Sequence, residues 1–291
     1  MILVIKNADF SANCIERVEL NRNLNPFTLA AIEASGNKSM TSEQKSAIDT
    51  FFNKIGAFGN ESEIWSKLDK VYIPFLCSDL TKACVNYKTN ESEHELSAER
   101  YTLRNKGIAG VVEDPATYTE NAISSSFVMD PKNMTIVSML MEDDESLSNM
   151  VPLFQYNGNS NTNRFYSTLG KSGDGRFQCN IGFLKPSGSF PSGIYNSYPL
   201  KHVLVGFTIR SVNDQCLLKV DTVTDTTTDL SFLSSVGTDT SSNINIFATA
   251  TSAAMQKMAP SLGLMIVGKS LTTEEAITLK SASETLVEFF K

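Results

Sequence analysis

The clearest pattern of hydrophobic and polar positions lies near the carboxyl-terminal end of the chain. Four apolar residues, Leu264 to Val267, stand between two glycines, which is typical of a short strand with both faces covered. Thr272 follows as a helix N-cap, and Glu275 completes a capping box. Apolar residues then recur at helical spacing: Leu279, Ala282, Leu286, Val287 and Phe290. The sequence therefore predicts a buried strand followed by a C-terminal helix that lies on the protein.

Similar periodicity predicts helices near the amino-terminal end. Thr41 and Gln44 form a capping box. The apolar residues that follow recur at the spacing of one helix face: Ile48, Phe51, Phe52 and Ile55. Shorter helices are predicted from Thr28 to Ala34 and around Glu63 to Leu68, the latter with Trp65, the only tryptophan. At about 25 cal/mol per Å² of apolar area, leaving the long helix in water would cost several kcal/mol, so its apolar face must be buried.

From Val71 to Gly268, helical spacing gives way to short extended runs separated by turn residues. In Arg176–Phe183, alternate residues are apolar, so one face of the predicted strand is apolar and the other is polar. His202–Arg210 alternates in the same way, and Ser211–Asp214 supplies a turn. Further strands are predicted at Val71–Leu76, Met134–Met141, Leu153–Tyr156, Arg164–Leu169, Gln215–Val220 and Ile244–Thr249. Such half-buried strands without long intervening helices predict antiparallel sheets packed face to face.

The patterns divide the chain into three parts. Residues 1–36 contain a short strand and too few apolar residues for a core, so we interpret them as an attachment arm that pairs with another chain. Residues 37–70 form a helical segment that leads into a sandwich of residues 71–291. The predicted fold class is mainly β, a two-sheet antiparallel sandwich with short N-terminal helices and a C-terminal helix.

Charge and cysteine content exclude several classes of protein. The net charge is −7, and no cluster of Lys and Arg occurs, which argues against binding to nucleic acid. No apolar run approaches the length of a membrane span or a secretory signal. Five scattered cysteines predict free thiols and a protein made in the cytoplasm. Because His94 and His202 are the only histidines, most zinc and general-base arrangements are excluded.

One acidic run, Glu142 to Glu145, is the strongest candidate for catalytic carboxylates. The E-x-D-x-x-E pattern of β-sandwich glucanases requires three acids on one face of a strand. Glu142 and Asp144 match the first two positions, but Leu147 stands at the third. We therefore interpret the run as a solvated turn and expect no enzymatic activity.

Calcium offers another use for loop carboxylates, at Asp143, Asp144 or Asp174. Asp174, however, stands in a Ser-Gly-Asp-Gly sequence that is typical of a hairpin turn. His202 is expected on the outer, solvated face of its strand beside Thr208. The residues therefore predict no metal and no cofactor.

Aromatic residues in the loop from Lys185 to Pro199 form the candidate binding site. Phe190, Tyr195 and Tyr198 stand among Ser, Gly, Pro and Asn residues. Sugars bind by stacking on aromatic rings flanked by hydroxyl and amide groups, so the loop predicts a glycan-binding site. The alternative is that these rings pack against the sandwich or against a neighbouring subunit.

Three local features carry a resemblance to a known family. The first is Ile-Trp-Ser-Lys-Leu-Asp-Lys-Val-Tyr-Ile-Pro-Phe at Ile64–Phe75. The second is the order Met134–Val137, Phe154 and Arg164–Tyr166, and the third is the ending Ser270–Ala276 after a buried strand. With these features, most of the chain resembles the concanavalin A-like (laminin-G/pentraxin-like) jelly-roll domains of bacteriophage tail and fibre proteins and related prophage proteins.

Two further segments qualify this resemblance. Ala8–Asn13 is similar to an opening of phage and prophage proteins of Bacteroidetes, which implies such an origin. The Asn-Leu-Lys-Asp-type loop usual in the family appears here only as Cys84–Lys88, in which Asn86 corresponds to the asparagine and its neighbours differ.

The resemblance implies a non-catalytic structural and adhesion protein of a phage tail, baseplate or fibre, located in the virion and assembled in the host cytoplasm. It also implies a homo-oligomer, with a trimer favoured, joined to other virion tail proteins through residues 1–36. Host surface polysaccharide is the expected ligand, with no nucleic acid and no membrane insertion. Two alternatives stay open: a stand-alone lectin that uses the Phe190–Tyr198 loop, and a glycoside hydrolase or lyase with unrecognised carboxylates.

Overall fold

A computed structural model describes residues 24–59, 62–94, 96, 98, 101–104, 106–110, 123–126, 130, 132–141, 151–157, 164–171, 177–184, 194–197, 201–227, 230, 243–246 and 261–291. For residues 110, 123–126, 151–157, 164–171, 177–184, 194–197 and 243–246, it describes the backbone and its pairing. The helices of this part are α1 (Pro26–Ser35), α2 (Ser42–Lys54), α3 (Ile64–Lys67) and α4 (Thr273–Glu288).

Sixteen strands are described. They are β1 (Leu68–Tyr72), β2 (Val85–Asn86), β3 (Glu91–Ser92), β4 (Tyr101–Arg104), β5 (Gly107–Gly110), β6 (Ile123–Ser126), β7 (Met134–Leu140), β8 (Val151–Asn157), β9 (Arg164–Lys171), β10 (Phe177–Leu184), β11 (Ile194–Ser197), β12 (Leu204–Ser211), β13 (Asp214–Leu218), β14 (Val223–Thr226), β15 (Asn243–Ile246) and β16 (Leu262–Gly268). The order in the first sheet is β14-β13-β12-β7-β16-β1-β2-β3, with the β4–β5 hairpin attached through β5 to β16. The order in the second sheet is β11-β10-β9-β8-β15-β6.

The chain passes repeatedly between the two sheets. After β1 to β5 it enters the second sheet for β6, returns for β7, crosses for β8 to β11, and returns for β12 to β14. It then crosses once more for β15 and ends in the first sheet with β16. Strands that alternate between antiparallel sheets are typical of a two-layer sandwich. The predicted fold class, mainly β with N-terminal helices and a C-terminal helix, is confirmed.

The first sheet is covered on both faces. Every residue of β7 and β16 is buried. Alternate residues of these strands, such as Val137 and Ile266, belong to the same hydrophobic cluster as residues of α2 and α4. The helices therefore cover one face, and the burial of the intervening residues shows that the other face is covered as well.

This double coverage corrects the prediction of one polar face for His202–Arg210. Val205, Phe207 and Ile209 are buried as predicted, but Thr208 is buried too. The Thr208 hydroxyl accepts the backbone N–H of Leu271 at 2.8 Å, because the connection from β16 to α4 crosses this strand. His202 lies before β12 with φ 57°, outside the strand in which it was predicted.

Gly206 allows β12 to lie close to β7. Its φ is 154°, and a Cβ atom there would come within 2.2 Å of the Ile136 carbonyl oxygen and 2.7 Å of Val137 Cα. Both neighbouring atoms belong to the backbone, so no side-chain movement could make room for a larger residue. A glycine at this position is therefore required by the packing of two adjacent strands.

The predicted helix caps are present. The Thr41 and Thr272 hydroxyls accept the backbone N–H groups of Gln44 and Glu275, and both capping boxes are complete. The helix α1 ends at Gly36, which has φ 68° and donates its N–H to the Glu33 carbonyl. These boundaries were predictable because each cap uses residues only a few positions apart.

One predicted strand is shorter than expected. The run Val71–Leu76 contains the end of β1, which stops at Tyr72, and a 3₁₀ turn at Pro74–Leu76. Proline has no backbone N–H and cannot continue the hydrogen-bonded ladder, so the strand gives way to a turn.

The N-terminal part is described from residue 24 onward. In α1, which belongs to the predicted arm, Thr28, Ala31 and Ser35 are buried, and the Asn25 N–H donates to Asp49 of α2 at 2.9 Å. Residues 1–23 lie outside the described residues, so the attachment arm and the three-part division stay predictions. Among the residues described, no helix is both long and apolar enough to span a membrane.

Candidate functional site

Strand register collects polar residues on one face of the second sheet. In one row across five strands, Tyr166 is aligned with Gly182 on one side and with Gln155, Asn245 and Ser124 on the other. Directly opposed residues in a sheet share a face, and residues two positions apart along a strand do so too. The residues that share this polar face are Ser124, Ser126, Pro152, Gln155, Asn157, Arg164, Tyr166, Thr168, Gly170, Gln178, Asn180, Gly182, Leu184, Tyr195, Ser197, Asn243 and Asn245.

The alternate positions form an apolar face. One row across all six strands consists of Ile194, Ile181, Ser167, Phe154, Ile246 and Ile123. Adjacent rows add eight apolar residues, Cys179, Leu169, Val151, Phe177, Phe183, Phe165, Tyr156 and Ile244, and three polar ones, Ser125, Lys171 and Asn196. A sheet with one apolar and one polar face packs the apolar face on the core of a sandwich. The polar face is therefore the one expected to meet ligands.

Amides and hydroxyls dominate the polar face. Each can donate as well as accept hydrogen bonds, which suits a ligand with many hydroxyl groups. None of the six described strands of the second sheet contains Asp or Glu, and their two charged residues are Arg164 and Lys171. Register places Arg164 on the polar face, opposite Asn157, and Lys171 on the apolar face.

The predicted aromatic site is described at one of its three residues. The prediction of a loop over Lys185–Pro199 is wrong for Ile194–Ser197, which form β11, an edge strand of the second sheet paired with β10. Tyr195 of this strand lies directly opposite Asn180. Phe190 and Tyr198 lie outside the described residues, so their part in glycan binding stays a prediction. Sequence reasoning missed the row through Tyr166, because β15 and β6, which extend it beyond β8, are far from β9 in the chain. The alternation in Arg176–Phe183 did contain a signal, since it separated Asn180 from the apolar residues.

A polar network at the edge of the first sheet surrounds Glu93. The Glu93 carboxylate accepts hydrogen bonds from Lys70, from the Tyr72 hydroxyl and, at 2.9 Å, from the Asn86 amide. Asn86 is buried, and its amide oxygen accepts the backbone N–H of Val71 at 3.1 Å. Asn86 thus links β1 and β2 to the carboxylate.

The surroundings of Glu93 fix its charge. Burial would raise the pKa of Glu93, but the hydrogen bonds from Lys70, Tyr72 and Asn86 outweigh burial and hold the pKa below its ordinary value. Burial lowers the pKa of the adjacent His94, which favours the neutral imidazole. Lys70, Tyr72 and Asn86 belong to β1 and β2 of the first sheet, so we interpret this network as structural.

Trp65 packs between the helices and the first sheet. Its ring lies edge-on to Phe27 and Phe52, with centroids 5.3 and 5.7 Å away, and the Lys88 ammonium lies 4.3 Å above it. The ring therefore joins α1 and α2 to the start of the first sheet. This packing accounts for the tryptophan without a bound sugar.

The other candidate sites lie mainly outside the described residues. Glu142–Glu145, Leu147 and Asp174 are among these, so the glucanase pattern and the calcium alternative stay predictions. Within the part of the chain that is described, no group of three or more His, Cys, Asp or Glu residues could hold a metal ion. Burial lowers the pKa of His202, and nearby Lys291 and Lys201 lower it further.

Comparisons with known proteins add three solved structures. No family model and no curated protein match the chain. Full-length tailspike protein 2 of an Escherichia coli O157:H7 bacteriophage has a TM-score of 0.35 and 10% identity, covering 55% of this chain and 22% of that one. The enzymatically active domain of tailspike protein 2 of bacteriophage CBA120 has a TM-score of 0.38 and 11% identity, with 69% and 33% covered. A family 7 alginate lyase, A1-II′, has a TM-score of 0.36 and 10% identity, with 71% and 96% covered.

The chain thus spans about a fifth to a third of the tailspike structures. Likenesses this weak assign neither a family nor an activity, and the concanavalin A-like family and the Bacteroidetes origin stay predictions. They do contradict the expectation that the protein is not an enzyme, because the similar structures include an enzymatically active domain and alginate lyases. The lack of a carboxylate triad excluded only one kind of polysaccharide chemistry, so that expectation is corrected.

Proposed function

We propose that this chain binds a polysaccharide along the polar face of the second sheet and serves as an adhesion module of a phage tail. The observation that carries the proposal is the register of that sheet, which aligns polar residues from six strands on one face. The opposite face is apolar and provides the packing surface. The two faces therefore have separate roles, one for stability and one for recognition.

The size and chemistry of the polar face favour a polysaccharide over a small ligand. The row through Tyr166 crosses five strands, or about 19 Å at about 4.8 Å per strand. Amides and hydroxyls along the row match the many donors and acceptors of a sugar chain. Tyr166 and Tyr195 add aromatic rings, against which the apolar face of a sugar ring can stack.

The placement in a phage tail rests on the sequence resemblance at Ile64–Phe75 and Ser270–Ala276. The helices α1, α2 and α4 form a helical layer on the first sheet. Both segments lie where this layer joins the sheet, since they contain α3, β1 and the start of α4. In this proposal, the helical layer and residues 1–36 face other tail proteins, and a trimer presents three polar faces to the host surface.

Binding of purified protein to a panel of bacterial surface polysaccharides tests the proposal. We expect selective binding to at least one polymer and its loss in Asn180→Ala/Tyr195→Ala, which changes two residues directly opposed on the polar face. Ser281→Ala/Thr285→Ala, on exposed positions of α4, is the matched control and should bind like the parent. The same mixtures are assayed for new reducing and unsaturated chain ends, which would report cleavage by a hydrolase or a lyase.

Thermal unfolding of each variant separates lost binding from lost folding. If Asn180→Ala/Tyr195→Ala does not fold, Gln155→Ala/Asn245→Ala tests the neighbouring row. Binding that survives in folded variants of both rows would overturn the assignment to this face. No binding to any polymer in the panel would overturn the proposed function.

A further inference from the structure

We infer that the polysaccharide is anionic, and that Arg164 with Asn157 forms a subsite for its carboxylate, sulfate or phosphate groups. The inference rests on the proposed function, because it concerns the ligand of the same face. It adds the charge of the ligand and the position at which that charge is recognised.

The register gives Arg164 a defined setting. It is the first residue of β9 and is aligned with Asn157 of β8 and Leu184 of β10. Two positions along β9 lies Tyr166, which is aligned with Gln155. Arg164, Asn157, Tyr166 and Gln155 therefore occupy a patch of about 5 by 7 Å between their backbone positions, at the geometry of neighbouring strands.

The described strands of the second sheet place positive charge, and no negative charge, on the polar face. Arg164 is the one charged residue on the polar face among the six described strands, and no carboxylate accompanies it there. Its fixed fork of donors can bind a planar carboxylate or a phosphate through two parallel hydrogen bonds. The amide of an asparagine can donate to the same anionic oxygens.

The net negative charge of the protein does not prevent an anionic polymer from binding at Arg164. The net charge is −7, but interactions between exposed charges are largely screened beyond about 8 Å at physiological ionic strength. The acidic residues in the described part of the chain lie in the helices, in the first sheet and in its connections.

Paired polymers test the inference on the full chain. Binding is measured to polygalacturonate and its carboxyl-reduced form, and to dextran sulfate and dextran, over a series of salt concentrations. Each pair has one sugar backbone with and without anionic groups, and the two pairs distinguish carboxylate from sulfate. We expect the native protein to bind one anionic polymer at least about tenfold more tightly than its neutral partner.

Two variants of β9 locate the effect. Arg164→Gln and Lys171→Gln each remove one positive charge, from the polar and the apolar face respectively. We expect Arg164→Gln to lose about tenfold or more in affinity for the anionic polymer and to keep its affinity for the neutral one. Lys171→Gln should bind both like the parent. If Arg164→Gln does not fold, Asn157→Ala should show a smaller loss of the same selectivity.

The outcomes separate this inference from the proposed function. Equal binding to the charged and neutral members of both pairs would overturn the anionic ligand and leave polysaccharide binding in place. Equal losses in Arg164→Gln and Lys171→Gln would overturn the subsite, since attraction would then come from overall charge. Absence of binding to every polysaccharide, including the bacterial panel, would overturn both.

Discussion

Glu93 is a carboxylate surrounded by donor side chains of the first sheet. Three side chains from β1 and β2 donate to it: Lys70, Tyr72 and Asn86. The Glu93 side chain is only 19% exposed, so these hydrogen bonds are partly shielded from water. A carboxylate held this way stabilises the folded chain only while it is ionised, because each partner donates a hydrogen bond to the charged form.

The variant Glu93→Gln tests this at the scale of one residue. A lowered pKa in the folded state contributes stability that is present above the ordinary carboxyl pKa and lost as the pH falls through the folded value. We therefore expect the free energy of unfolding of the parent, from urea titrations, to fall more steeply between about pH 5 and pH 3 than that of the variant. Glu91→Gln, on an exposed position nearby, is the control. Parallel pH profiles for the parent and Glu93→Gln would contradict the role of the network.

At the scale of elements, α4 is fixed at both ends. At its start, Thr272 caps the helix, and Glu275 accepts two hydrogen bonds from Lys67 at 2.6 and 2.7 Å. At its end, the Phe289 carbonyl accepts from Gln44 at 2.9 Å, and the Phe290 carbonyl accepts from Lys106 at 2.6 Å. These contacts satisfy groups that a helix terminus leaves without partners, so the helix is tied to α2, α3 and the β4–β5 turn.

Removal of the N-cap should weaken this element measurably. We expect Thr272→Ala to lower the free energy of unfolding by about 1 kcal/mol, because the Glu275 N–H loses its acceptor. Thr285→Ala, on an exposed position of the same helix, should be neutral or slightly stabilising because alanine has the higher helix propensity. Both are measured by urea denaturation. An equal effect of the two substitutions would show that the cap contributes nothing.

At the scale of the whole molecule, the helical layer and the first sheet form one continuous core. The buried cluster runs from Ala31 in α1 through Phe52 in α2 and Val137 in β7 to Phe290 after α4. Three described cysteines, Cys77, Cys84 and Cys216, are free and buried in this part of the molecule. Burial raises the pKa of Cys77 to about 12 and also raises that of the other two.

Thiol reactivity therefore reports the integrity of this core. In a Cys14→Ser/Cys179→Ala variant, we expect the three remaining thiols to react with a disulfide reagent at about pH 8 at least about 100-fold more slowly in native protein than in urea. Reaction of all three should follow the unfolding transition seen by circular dichroism. A thiol that reacts rapidly below that transition would show that the core opens locally.

The sequence predicted most elements of the fold, including both capping boxes and the strands β7 to β10, β12 and β13, whereas β11 lies in a segment that was predicted as a loop. One error arose because a second layer of structure buried a residue that was expected to be exposed. Thr208 was expected on a solvated face, yet the crossing of Leu271 buries it. The candidate site was predictable only in part, because Tyr195 stands in a recognisable aromatic run, whereas Tyr166 becomes relevant through its alignment with Asn245, a partner two strands away.

Sequence alone determined the features that depend on residues a few positions apart. Helix caps, strand alternation and turns follow from local hydrogen bonds and side-chain periodicity, so they can be predicted from the sequence. Only the tertiary structure decided the order of strands in each sheet, the coverage of both faces of the first sheet, and the rows of the polar face. Those features join residues far apart in the chain, such as Gln44 and Phe289, which are 245 positions apart, and local preferences carry no information about such pairings.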